Sequence, residues 1–212
     1  MIRTCVTSSG GLRADLNGDG TADEVSPASA PRAGTDSDSG LRITFGATHG
    51  PDTSVTPEQL VGDRGDHPVT VSAAVADFDR DGWLDLFIAA TGKTWGDDPI
   101  DPAVSELRLG PFSARGRGQS DHHVDLSEPR AAGVADYNHD RYPDLAAYVY
   151  DGDGQHSVRA RLGGPKGLEG KQTASDLPYT SGAQQGDAPT PDSMPAPSLR
   201  TFYPSCEDKG KG

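Results

Sequence analysis

The sequence has few apolar, aromatic and basic residues. Of its 212 residues, 33% are hydrophobic and 6% aromatic, whereas 27 are glycine and 17 are proline. This composition is typical of a turn-rich, all-β protein and argues against a helical domain. The 19 lysines and arginines face 32 acidic residues, which gives a formal net charge of -13. Because nucleic-acid-binding proteins need a basic face, we expect no nucleic acid partner.

Long hydrophobic runs are also missing. No stretch is long enough to span a membrane, so we expect no transmembrane segment. Residues 1–10 lack the apolar core of a signal peptide, which predicts a cytoplasmic protein if Met1 is the native start.

Cysteine is scarce, and the two that occur, Cys5 and Cys206, lie at opposite ends of the chain. Two free buried thiols and one disulfide between the termini both agree with the sequence. A disulfide would close a loop of 201 intervals (206 − 5). In the chain-entropy model it would stabilise the fold by roughly 5 kcal/mol.

Common catalytic motifs are absent. The sequence contains no Gly-x-Ser-x-Gly elbow, glycine-rich phosphate loop, Cys-x-x-Cys or His-Glu-x-x-His pair. The Asp-His-His triplet at residues 121–123 matches a motif of DHH phosphoesterases. Those enzymes need further acidic motifs on parallel α/β strands, so we interpret the triplet as a polar strand or rim. We expect no enzymatic activity.

Three short acidic loops stand out against this background. In each, oxygen-bearing side chains occupy positions 1, 3, 5 and 9 of nine residues, and position 7 offers a backbone carbonyl. This spacing surrounds a hard cation with oxygen, so it predicts calcium sites. The predicted ligands are Asp15, Asn17, Asp19, Thr21 and Asp23 in the first loop, Asp77, Asp79, Asp81, Trp83 and Asp85 in the second, and Asp136, Asn138, Asp140, Tyr142 and Asp144 in the third.

The loops recur at a nearly fixed period. Their first aspartates are separated by 62 (77 − 15) and 59 (136 − 77) residues, which indicates a repeat of about 60 residues. An alternating strand that ends in a glycine follows each loop. These landmark glycines, Gly46, Gly110 and Gly163, lie 31, 33 and 27 residues after the first aspartate of their loop.

The loops and the stretch Phe45 to Pro51 resemble the FG-GAP repeats of integrin-alpha-type β-propellers and the related VCBS repeats. The resemblance covers roughly residues 10–175. It implies that each repeat is a four-stranded antiparallel blade, that the loop joins the first two strands, and that calcium rigidifies this hairpin.

We therefore expect an all-β fold of about three propeller-type blades. The expected segments are a repeat region over 1–175 with blades near 10–66, 67–128 and 129–175, and a linker or disordered tail over 176–212 in which 199–203 could form one more strand. Three blades are too few for an ordinary closed propeller. The remaining blades would come from a longer native chain or from another molecule.

Two details refine the calcium prediction. An apolar strand follows position 9, and position 12 is Ser26, Ile88 or Ala147 instead of the glutamate of an EF-hand. EF-hand and helix-flanked dockerin folds are therefore disfavoured.

In the third loop Arg141 replaces the position-6 glycine and Pro143 occupies position 8. We expect two to three calcium ions, with the third site the weakest.

The predicted function is a non-enzymatic, calcium-stabilised binding or scaffold module of a secreted or cell-surface protein. Calcium loops of modest affinity suit the near-millimolar calcium outside cells. The alternative is an accessory, carbohydrate-binding domain of a secreted hydrolase, with sugar-stacking faces on Trp83, Trp95, Tyr142 and Tyr148. We favour packing between blades for these aromatic residues. The ligand, protein or carbohydrate, stays open.

Overall fold

A computed structural model describes residues 2–26, 41–61, 70–93, 96–182, 194–195 and 199–206. Strands predominate and form three antiparallel sheets, each containing one acidic loop, so the all-β prediction is confirmed. Residues 27–40 of the first expected blade lie outside the described residues. No helix in the described ranges is long and apolar enough to cross a membrane.

The first sheet is a five-stranded meander. Its strands are β1 Cys5–Val6, β2 Leu12–Ala14, β3 Asp23–Ser26, β4 Arg42–Phe45 and β5 Thr53–Val55. Each strand pairs with the next one in the chain. The prediction of four strands was wrong here, because the short β1 adds itself to β2. The helix α1, Pro57–Val61, follows β5.

The second sheet has the predicted four strands. They are β6 Thr70–Ala76, β7 Asp85–Thr91, β8 Val104–Arg108 and β9 Asp121–His123. All seven residues of β7 are buried, since protein packs on both faces of this strand. The exposed edge strand β9 is the Asp-His-His triplet, which confirms its interpretation as a polar strand.

The third sheet has three strands among the described residues, not the predicted four. They are β10 Pro129–Ala135, β11 Asp144–Gly152 and β12 Gln155–Arg161. Side chains take the place of a fourth strand along the free edge of β12. The N–H groups of Val158, Ala160 and Leu162 donate to Ser181 Oγ (2.7 Å), Thr180 Oγ1 (3.3 Å) and Asp176 Oδ1 (3.1 Å), respectively. This satisfies an edge that would otherwise offer unpaired donors.

The described parts of 176–212 differ from the predicted linker or disordered tail. Asp176 is fully buried next to the 3₁₀ helix Leu177–Tyr179. The possible strand over 199–203 is instead helical, as α2 Leu199–Phe202. Cys206 then forms a disulfide with Cys5, which decides between the two alternatives that the sequence leaves open.

One hydrophobic core runs through all three sheets. Its largest members include three phenylalanines with no more than 1% exposure, Phe78, Phe87 and Phe112. The second and third sheets also meet through a hydrogen bond from Ser72 Oγ in β6 to the carbonyl of Pro129 in β10 (2.9 Å). The acidic loops thus extend from a continuous scaffold.

Candidate metal centres

Each acidic loop closes a hairpin between two paired strands. The loops connect β2 to β3, β6 to β7 and β10 to β11, and position 9 is the first residue of the second strand in all three. Strands therefore flank the loops on both sides, as expected. The EF-hand and dockerin alternatives require flanking helices, which the structure does not have at these loops.

The position-9 aspartate is a buried anchor in every loop. Asp23, Asp85 and Asp144 are at most 1% exposed. One carboxylate oxygen accepts the N–H of position 2, from Leu16 (2.7 Å), Phe78 (2.8 Å) and Tyr137 (2.7 Å). The other oxygen accepts the N–H of the landmark glycine, from Gly46 (2.9 Å), Gly110 (2.9 Å) and Gly163 (2.8 Å).

The anchor explains why the landmark glycines recur. A Cβ at Gly46, Gly110 or Gly163 would overlap the carbonyl oxygen of the residue at position 8 of the same repeat. Only glycine lets the two backbones approach closely enough for its N–H to reach the anchor carboxylate. The two sequence landmarks are therefore the two ends of one hydrogen bond.

The position-1 aspartates of the second and third loops each carry an oxygen that the protein leaves unpaired. Asp77 Oδ2 accepts the N–H of Gly82 (3.1 Å), whereas Asp77 Oδ1 is buried without a hydrogen-bond partner. Asp136 Oδ1 is buried and unpartnered in the same way. Asp15 differs, since its two oxygens accept the N–H groups of Gly18 (2.8 Å) and Gly20 (3.0 Å). A buried carboxylate oxygen without a partner is costly, so these positions fit a cation.

The second loop gathers the most negative charge. Its residues Asp77, Asp79 and Asp85 offer oxygens that all lie within 4.8 Å of one another. Among the described residues, these three side chains form the one group whose ligand atoms lie close enough together to hold a metal ion. Asp81 completes the loop differently, with Oδ1 accepting the N–H of Trp83 (2.8 Å).

The first and third loops have an asparagine where the second has Asp79. Asn17 Nδ2 donates to Asp19 (3.0 Å), and Asn138 Nδ2 donates to Asp140 (2.9 Å). The neutral amide replaces a carboxylate at position 3 and donates to the aspartate at position 5, so fewer carboxylates converge in these loops. Positions 5 and 7 are connected as in the second loop, because Asp19 and Asp140 accept the N–H groups of Thr21 (2.7 Å) and Tyr142 (2.8 Å).

Burial and mutual repulsion make these carboxylates hard to ionise. Burial raises the pKa of Asp85 to about 8, with the Asp79 and Asp77 carboxylates adding to the effect. Burial also raises the pKa of Asp77 to about 6, and that of Asp144 to about 6. A divalent cation would relieve both costs, because it offsets lost hydration and screens the neighbouring charges.

All three loops use a left-handed backbone at positions 4 and 6. The φ angles are 77° and 83° at Gly18 and Gly20, 59° and 98° at Arg80 and Gly82, and 60° and 73° at His139 and Arg141. At position 6, glycine in two of the loops indicates this conformation in the sequence. At position 4, only Gly18 of the first loop does. A non-glycine residue in this region costs about 1 kcal/mol.

The loops lie in a row, each connected to the next. Phe112 and Gly164, which follow landmark glycines, donate their N–H groups to the position-2 carbonyls of the preceding repeat, Leu16 (2.8 Å) and Phe78 (3.2 Å). Neighbouring loops are thus joined by backbone hydrogen bonds.

Two of the four aromatic residues considered for sugar stacking, Trp83 and Tyr142, lie between neighbouring loops. The Trp83 ring lies 3.7 Å from where a Cβ of Gly18 would be, in the first loop. The Tyr142 ring lies under the guanidinium of Arg80, 5.1 Å from its centroid, in the second loop. Tyr148 is 6% exposed and stacks on His156 (5.0 Å), while Trp95 lies outside the described residues.

No protein-family model matches the chain, and a search of curated proteins finds no significant match. The geometry of the loops therefore carries the functional argument.

Proposed function

We propose that the chain is a calcium-stabilised, β-propeller-type binding or scaffold module of a secreted or cell-surface protein, without catalytic activity. The observation that carries the proposal is the second loop. There Asp77, Asp79 and Asp85 offer carboxylate oxygens within 4.8 Å of one another, and Asp77 carries a buried oxygen that has no protein partner. Oxygen-only ligands of this kind suit a hard cation such as calcium.

In each loop, hydrogen bonds from backbone N–H groups orient the side chains that would bind the ion. In the second loop Asp77, Asp79, Asp81 and Asp85 would hold the ion, together with the carbonyl of Trp83. Bound calcium neutralises charge and bridges the two strands of the hairpin. The residues at the same positions of the first and third loops would do the same, the third most weakly.

Calcium binding of this kind stabilises the fold by mass action. The folded loops bind the ion and the unfolded chain does not, so each site at 100-fold excess over its dissociation constant adds about 2.7 kcal/mol. The sites are then structural clamps that hold hairpins and neighbouring repeats in place. The surface that meets a partner lies elsewhere on the sheets.

The resemblance to FG-GAP and VCBS repeats supports a propeller-type arrangement. Three successive antiparallel sheets, each with one acidic loop, agree with three blades. The loop joins the first two strands of the second and third sheets, and β2 to β3 in the first sheet, where β1 comes before it. We propose a partial propeller that further blades complete, either in a longer native chain or in another molecule.

An extracellular setting is compatible with the disulfide between Cys5 and Cys206, since such bonds persist in oxidising compartments. The carbohydrate-binding alternative receives less support. Trp83 and Tyr142 are half-buried against neighbouring loops, and Tyr148 has its ring against His156, so each has only part of its ring surface left to stack on a sugar.

The test is calcium binding and its effect on stability, measured on one preparation. Isothermal titration calorimetry of the metal-free protein should show uptake of two to three calcium ions, and EGTA should lower the melting temperature strongly. Asp77→Asn should remove one ion, whereas Asp98→Asn removes the same charge from an exposed position outside the loops and should change nothing. An unchanged melt in EGTA together with no binding heat would end the proposal.

A further inference from the structure

The C-terminal segment 199–206 is fixed to the N-terminal strand. The N–H of Cys206 donates to the carbonyl of Val6 (2.9 Å), and the N–H of Val6 donates to the carbonyl of Pro204 (2.8 Å). The disulfide from Cys206 to Cys5 lies beside these hydrogen bonds. The end of the segment therefore has both a covalent and a backbone attachment to the first sheet.

The same segment reaches the second acidic loop. The N–H of Asp77 donates to Tyr203 Oη at 2.8 Å, across 126 residues of sequence. The Tyr203 ring packs against the common core, and burial raises the pKa of Tyr203, so its hydroxyl stays neutral. Among the described residues, a tyrosine reaches the first residue of an acidic loop in this way only at the second loop.

Asp77 is the residue at which such a contact matters most. Its Oδ1 is the buried, unpartnered oxygen of the second loop, and its Oδ2 is held by Gly82. The hydrogen bond to Tyr203 restricts the backbone of Asp77, the residue that carries this unpartnered oxygen. A ligand group that is ordered before binding loses less conformational freedom when the ion arrives.

We propose that Tyr203 is a positioning residue for the second calcium loop and that the disulfide between Cys5 and Cys206 holds it in place. Closing the chain covalently thereby raises the cation affinity of this loop and not that of the other two. The inference rests on the proposed calcium function, and it implies that the second loop differs from the other two in calcium affinity.

Tyr203→Phe tests the contact, because it removes the hydroxyl and keeps the ring. Terbium replaces calcium at oxygen sites and emits when a nearby indole is excited. Trp83 at position 7 of the second loop also lies beside the first loop, so emission is read with Asp15→Asn present to disable the first site. A Trp95→Phe background leaves Trp83 as the only indole. We expect terbium affinity at this site to fall about fivefold in Tyr203→Phe, the effect of one hydrogen bond. Calcium uptake at the other loops, measured by calorimetry, should be unchanged.

Two further variants separate positioning from general stability. Cys5→Ser combined with Cys206→Ser should weaken the same terbium site, and adding Tyr203→Phe should then have little further effect. Tyr150→Phe is the matched control, since the Tyr150 hydroxyl on the third sheet likewise bonds to the backbone, donating to Asp97 (3.0 Å) and accepting from Gly154 (3.1 Å). It should leave terbium affinity unchanged even if the melting temperature falls.

Amide exchange gives a readout that needs no metal. In EGTA, the Asp77 amide should exchange faster in Tyr203→Phe than in the wild type. Equal terbium affinity and equal exchange in the two proteins would overturn the inference and leave the calcium proposal standing. A wild type that shows neither calcium heat nor Trp83-sensitised emission would overturn both.

Discussion

The second and third acidic loops have the same backbone and different side chains. Both have left-handed residues at positions 4 and 6, but the second loop has Gly82 at position 6 and the third has Arg141. Both have a buried anchor, Asp85 or Asp144, with the same two backbone donors. The carboxylate cluster, in contrast, is found in the second loop.

The comparison separates two roles within nine residues. Position 9 and the landmark glycine set the shape of the hairpin, because they are equivalent in both loops. Position 3 is where the two loops differ in charge, because the second loop has Asp79 there and the third has Asn138, so this position sets the difference in their attraction for a cation. A loop can therefore keep its fold while its affinity for calcium changes.

The largest expected effect comes from breaking the anchor that the loops share. Gly163→Ala would force a Cβ into the carbonyl of Pro143 and push the buried Asp144 away from its donor, costing about 3 kcal/mol. The neighbouring Gly164→Ala is the matched control, since open space surrounds its Cβ position. Urea unfolding of the two variants measures the difference. Equal stabilities would show that the anchor does not hold the hairpin.

Exchanging position 3 should exchange the affinities of the two loops. Asp79→Asn gives the second loop the amide of the third, and Asn138→Asp does the reverse. Near a divalent ion one carboxylate changes affinity by about tenfold, or about 1.4 kcal/mol. Calorimetry should show a loss for Asp79→Asn and a gain for Asn138→Asp. Changes of the same sign in both variants would contradict the assignment of roles.

Position 6 should have a smaller and opposite effect in the two loops. Arg141→Gly relieves a left-handed arginine and should stabilise the protein by about 1 kcal/mol. Gly82→Ala places a side chain at φ 98° without any steric neighbour, and should destabilise by about 1 kcal/mol. Both are measured by urea unfolding in EGTA. No change in either variant would mean that the backbone adjusts freely.

The smallest expected difference between the two loops is in how they make the free energy of unfolding depend on pH. In the metal-free folded state burial raises the pKa of Asp85 to about 8 and that of Asp144 to about 6, both above the ordinary aspartate value of 3.8. The folded state therefore binds more protons than the unfolded state below these values, and the free energy of unfolding rises as pH falls.

The two anchors should act in different pH ranges. In EGTA, Asp85→Asn should flatten the rise in melting temperature between about pH 8 and pH 6, whereas Asp144→Asn should flatten it only below about pH 6. Thermal melts across this range are the measurement. A stability that increases with pH in EGTA would contradict the sign.

Local patterns predicted the loops and the strands beside them. The spacing of Asp77 to Asp85 and the alternating residues before Gly110 depend on neighbours in sequence. The structure has a hairpin loop between β6 and β7 at the first place and the strand β8 at the second. The left-handed position 4 was missed because Arg80 and His139 give no glycine signal there.

Features that depend on distant contacts could not be read from the sequence. In the part of the chain that the structure describes, the third sheet has no fourth strand. The side chains of Asp176, Thr180 and Ser181 pair with β12 instead, and hydrophobic periodicity cannot predict such contacts. Similarly, Tyr203 has an ordered place because it meets Asp77 and because Cys206 is bonded to Cys5.

The central claim is that the second loop binds calcium, and crystals grown with calcium test it most directly. Anomalous diffraction should place an ion among Asp77, Asp79 and Asp85, with the weakest of any further peaks at the third loop. Strong calcium peaks elsewhere and none at the second loop would contradict the account.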